Sequence, residues 1–162
     1  MGIMKKQSCK ELFLFFEVGF AAYWFANAVL WIPWKINQGL GITVMILLVP
    51  FLWGASSVFC LRHTPIENWK KAKYVIAMVF LFVGVISDAF FFAVWRGIPE
   101  ELYRPTTFAA YALIIIVPII IGIVFSKAKE KKAKLISSKS LFIIGVLGIL
   151  FLTATLYTVQ YW

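Results

Sequence analysis

The sequence is poor in charge, in histidine and in cysteine, and each shortage removes a class of function. Charged residues make up 14% of the chain, where a soluble globular domain carries about a quarter. The single histidine, His63, follows Arg62, and the two cysteines, Cys9 and Cys60, stand far from it and from each other. These three residues cannot furnish the ligand set of a zinc site. There is no Cys-x-x-Cys pair, no phosphate-binding glycine loop and no Ser–His–acid set. An enzyme therefore has almost no residues to work with, and neither a metal nor a cofactor is expected. Acids are the scarcest charge, with 7 Asp and Glu against 16 Lys and Arg, so any acid inside an apolar stretch stands out.

What the chain does have is apolar length. It is 62% hydrophobic and 18% aromatic, with a mean hydropathy of +0.90. Its apolar runs reach the roughly 20 residues that cross a bilayer as a helix. The pattern predicts an all-α, polytopic membrane protein with one domain and five transmembrane helices, over about Glu11–Trp31, Gly39–Leu61, Ala72–Trp95, Thr107–Phe125 and Leu141–Trp162. The first run follows Lys5, Lys6 and Lys10 as a signal peptide would, but it is too long and ends on no small-x-small cleavage site, so it reads as a retained span. Pro33 and Trp34 are expected to stop it.

Orientation follows from the basic residues. With the N-terminus inside, the inner segments hold Lys5, Lys6, Lys10, Arg62, Lys70, Lys71, Lys73, Lys127, Lys129, Lys131, Lys132, Lys134 and Lys139. The outer segments hold only Lys35, Arg96 and Arg104. The positive-inside rule then predicts N-in, C-out in a cell membrane. The same distribution accounts for the net charge of +9 without nucleic acid as a partner. Both cysteines fall near the reducing side, so no disulfide is expected. Within the short loop 126–140, Lys129, Lys131, Lys132 and Lys134 are candidates to meet anionic lipid headgroups, although setting topology is reason enough for them. The outer loop Arg96–Thr106 mixes Glu100 and Glu101 with Arg96 and Arg104 between Pro99 and Pro105, which suits a short helical turn.

Polar groups within the spans sort by depth into two layers. Asn27, Asp88, Tyr111, Thr153, Thr155 and Tyr157 lie in the outer one, and Glu17, Ser56 and Ser57 in the inner one. Glu17 and Asn27 are separated by about 15 Å along the first helix. An ionisable group at membrane depth is costly and marks a pathway or a binding group by default. Asp88 is accordingly the leading candidate for a proton, cation or ligand site, with Asn27 and Tyr111 as hydrogen-bonding partners and Glu17 as a second site. The competing reading of Asp88 is a neutral carboxyl that ties helices together. Aromatics crowd the first three spans, including Tyr23, Trp24, Trp31, Trp53, Phe91 and Trp95, either as a pocket lining or as interfacial belt and packing residues. Pro50 and Pro118 fall mid-span, where proline kinks a helix. Ala22 and Ala26 form a small-xxx-small pair.

Two stretches resemble known families. Gly84, Asp88, Phe91, Phe92, Pro99, Glu100, Phe108, Ala109 and Ala110 stand in an order similar to that of an uncharacterised family of small bacterial multi-pass membrane proteins. Val83 replaces that family's proline, a fifth span is added, and the resemblance implies no activity. Phe15-Phe16-Glu17-Val18-Gly19 resembles the first helix of small multidrug transporters, in which a membrane glutamate exchanges protons for aromatic cations; the rest of that pattern is missing. The expectation from the residues is a protein that binds or translocates a small molecule or ion through a buried acid. The alternative is an accessory or structural protein that binds another membrane protein through its helices. A homodimer is compatible with either.

Overall fold

The computed structural model describes residues 9–64, 69–125 and 136–161. Within them lie five helices long and apolar enough to cross a membrane, and no strand. They are α1 (Cys9–Ile36), α2 (Gln38–Arg62), α3 (Trp69–Asp88), α4 (Pro105–Val124) and α5 (Ser138–Tyr161). Two shorter elements join α3 to α4: a π-helix, Ala89–Trp95, that continues α3 without a break, and a 3-10 helix, Pro99–Tyr103. The expected headgroup lysines Lys129, Lys131, Lys132 and Lys134 lie outside the described residues.

The largest departure from expectation is at the end of α1. Pro33 does not stop the helix, which runs on to Ile36. Proline removes one N–H and frees the carbonyl four residues back, but near a span's end water can serve that carbonyl. The stop comes at Asn37, the single residue between α1 and α2. Its backbone is extended, at φ −159° and ψ 128°. Its side-chain oxygen accepts from the N–H groups of Gly39 at 2.7 Å and Leu40 at 3.2 Å, which supplies acceptors for the orphan donors of the new helix. Gly41 permits so short a connection, because a Cβ there would stand 2.9 Å from the Cα of Trp34.

α1 is the axis of the packing. It touches α5, α2 and α3, while α4 packs on α3 and α2. Small residues set the close approaches. A Cβ on Gly19 would meet Phe80 of α3 at 2.8 Å, and one on Gly148 of α5 would meet Phe20 at 2.7 Å. Ala22 and Ala26 are both buried, as their spacing suggested. The largest of the fully buried side chains are aromatic: Trp24, Phe15, Phe80 and Phe91. The outward faces are apolar too, with Leu47, Phe51, Val94 and Phe142 wide open. In water such faces would be a liability; against lipid tails they are ordinary. Pro50 and Pro118 lie inside helices that continue past them.

The loop between α3 and α4 has the helical turn its sequence suggested, and opposite charges pair locally within it. Arg104 meets Glu101 at 2.7 Å, and Thr107 donates to the Glu101 carbonyl at 2.8 Å. Gly97 makes the corner at φ 65°, a left-handed conformation that costs glycine nothing.

Candidate functional site

Asp88 is the last residue of α3 before the π-helix, and it is 9% exposed. Tyr23 of α1 donates its phenolic O–H to Asp88 Oδ1 across the α1–α3 contact. Tyr111 of α4 lies near the same carboxyl and interacts with it electrostatically. A single acid thus gathers groups from three helices. A carboxyl group has more hydrogen-bonding sites than two phenols fill, so the cluster has capacity to spare.

Of the residues expected at this site, Asp88 and Tyr111 come together. Asn27 does not reach the carboxyl. Its side-chain amide donates to the Tyr23 carbonyl at 3.0 Å, the same turn of helix, and it touches the cluster only through Tyr23. A side-chain amide that can bond four residues back along its own helix satisfies itself locally. The donor that sequence reasoning missed is Tyr23. A signal was present: a tyrosine one turn before Asn27, at the same depth as Asp88, needs a partner for its hydroxyl once buried.

Above Asp88 the helix changes type. In the π-helical segment the Arg96 N–H bonds to the Phe91 carbonyl, five residues back, at 3.0 Å. Such segments are rare and occur often at functional sites. Phe91, 1% exposed, sits edge-on to two indoles, Trp24 at 6.1 Å and Trp31 at 6.0 Å between ring centroids. The Arg96 guanidinium carbon lies 4.8 Å over the Trp31 ring, a cation–π contact that closes the outer end. The indole N–H groups of Trp24 and Trp31 are buried without a hydrogen-bond partner among the described residues. Leaving a buried donor unmet costs about 1–3 kcal/mol, so this aromatic layer carries two donors able to serve a polar ligand group.

The remaining polar groups do not join this cluster. Thr155 is fully buried on the other side of α1, where its hydroxyl bonds to the Phe151 carbonyl at 2.9 Å and lies 3.4 Å from that of Trp24. Thr153 and Tyr157 are exposed on α5. Glu17 is half-buried, and its carboxyl rests where a side chain at Gly145 of α5 would be, 2.5 Å from an added Cβ. Ser57 donates to the Trp53 carbonyl at 2.6 Å. From Glu17 to Tyr23 is about 9 Å along α1, so the two acids belong to separate environments. His63 is bonded to the Phe59 carbonyl at 2.8 Å, and among the described residues no group of metal-ligating side chains converges.

These features define an all-helical chain whose five apolar helices fit a multi-pass membrane protein, with one buried acid held by tyrosines. No family model, curated protein or solved structure matches it.

Proposed function

We propose that this chain is a five-span protein of the cell membrane, N-in and C-out, whose helices form one bundle that binds a proton at Asp88 and exchanges it for a cation or a polar small molecule. The observation that supports this reading is the position of Asp88. It is a buried ionisable group that takes hydrogen-bonding groups from two other helices and stands where α3 passes into a π-helix. The lysine and arginine distribution supports the orientation. In the exchange, the protonated carboxyl is the neutral resting form. Loss of the proton leaves a negative charge in a low-dielectric setting, where an arriving cation or donor group is held strongly. Tyr23 and Tyr111 keep the carboxyl oriented through the cycle. Asn27 steadies Tyr23, and Glu17, nearer the lysine-rich side, is a second, weaker protonatable group.

The test is a thermal-shift panel of cations and polar small molecules on the purified wild type and on Asp88→Asn. The reading expects at least one compound to stabilise the wild type, and Asp88→Asn to remain folded and lose that response. Equal responses in the two proteins would overturn it. A second reading rests on the contacts of Asp88, which are all helix to helix: the cluster would then be a clasp, in an accessory protein that binds a membrane partner or a second copy through its open helix faces. In that case Asp88→Asn lowers stability in every condition alike and leaves the partner bound.

A further inference from the structure

On the outward face of α3 a shallow groove of about 450 Å³ is lined by Tyr74, Val75, Met78, Val79 and Phe82. Val75 and Val79 are half-buried and make its floor; Tyr74, Met78 and Phe82 are exposed and make its walls. The lining offers no polar surface to speak of, so its occupant is a hydrocarbon chain. From Tyr74 to Phe82 is about 12 Å along the helix, just short of one leaflet, which is half of a core about 30 Å thick.

The stripe does not end at Tyr74. Positions 74 and 75, 78 and 79, and 82 recur every four residues on one face of the helix, and one step earlier in the same stripe stand Lys70 and Lys71, both exposed. Helical side chains lean toward the N-terminus, so these two reach beyond the head of the groove, away from the hydrocarbon. Lys73 flanks the same end. Its stem is pinned against α4, where a Cβ on Gly122 would come within 2.5 Å of it, and its ammonium lies 5.0 Å over the Tyr74 ring. Three lysines thus stand at one end of an open apolar groove of about leaflet length.

We infer that this face of α3 is a binding site for one anionic phospholipid, with an acyl chain lying along Val75 and Val79 and the phosphate met by Lys70, Lys71 and Lys73. The site is independent of Asp88, which lies on the far side of Phe82 in the sequence and faces α1. A lysine beside an anionic headgroup contributes about fivefold in binding.

The experiment is native mass spectrometry of the full chain released from mixed micelles containing phosphatidylglycerol and phosphatidylcholine in equal amounts. The wild type is expected to retain phosphatidylglycerol about a hundredfold over phosphatidylcholine, about fivefold for each of the three lysines. Lys70→Gln/Lys71→Gln should cut that preference to about fivefold, and Met78→Trp, which fills the groove, should lose the bound lipid. Phe142→Trp on the exposed face of α5 should behave as the wild type. All of these substitutions are on exposed positions, and helicity by circular dichroism confirms the fold of each. Soluble glycerol phosphate should not compete. Retention of both lipids equally by the wild type, unchanged selectivity in the double lysine variant, unchanged retention in Met78→Trp, or displacement by glycerol phosphate alone would each overturn the inference.

Discussion

Of the three acids in the long helices, Glu11, Glu17 and Asp88, the last two have opposite settings. Asp88 is almost fully enclosed, approached by phenols from α1 and α4, and followed at once by a stretch of π-helix. Glu17 is half-open at the α1–α5 contact, with a glycine opposite it and no phenol. They differ in depth, and they differ also in the number of helices that converge on each. α1 and α3 meet where Trp24, Trp31 and Phe91 crowd together, whereas α5 rests mainly on α1 and leaves most of its surface open. A residue at the first contact has its neighbours prescribed. A residue at the second can still turn toward lipid headgroups.

This contrast can be broken by mutation, and the largest effect is expected at Asp88 itself. Asp88→Ala leaves the buried Tyr23 hydroxyl without its acceptor and should cost about 2–3 kcal/mol, read as a fall in the thermal midpoint of the purified protein. Gly148→Leu is next. Its Cβ would already meet Phe20 at 2.7 Å and the Ala21 Cα at 3.4 Å, so α5 must move off α1, at about 1–3 kcal/mol. The loosening should show as faster proteolysis of α5 with α1–α3 intact. Tyr23→Phe removes one donor from the cluster and should cost about 1 kcal/mol. Glu17→Gln should change stability by no more than about 0.5 kcal/mol, because the swap keeps the side chain's size and breaks no buried polar network. If Glu17→Gln proved as costly as Asp88→Ala, the distinction between the two acids would fail.

Much of the architecture was legible because membrane spanning is a matter of length. A run of some 20 apolar residues has few alternatives, and the helices α2, α4 and α5 begin and end close to where their sequences suggest. Local hydrogen bonding was harder to read. The Asn37 cap is spelled by Asn before Gln-Gly-Leu, yet Pro33 and Trp34 offered a stronger stop signal that the helix passes through. The π-helix over Ala89–Trp95 has no sequence mark, since Ala-Phe-Phe-Phe-Ala-Val-Trp suits any apolar helix; its register depends on where Phe91 must sit between Trp24 and Trp31. The importance of Asp88 was legible from its isolation. Its partner was not, because Tyr23 and Asn27 share a face of α1 and only the rotation of α1 against α3 decides between them. Tyr23 prevails because its hydroxyl reaches across the contact while the shorter Asn27 amide folds back on its own helix.

Exchange at Asp88 requires the carboxyl to give up a proton when a cation binds. The direct measurement is the pH change in a weakly buffered detergent solution of the purified protein on addition of sodium, choline or tetraphenylphosphonium, with Asp88→Asn in parallel. The account predicts that at least one of these cations releases protons from the wild type in a saturable manner and that Asp88→Asn releases none. Proton release of the same size in Asp88→Asn, or none from the wild type with any of them, would contradict it.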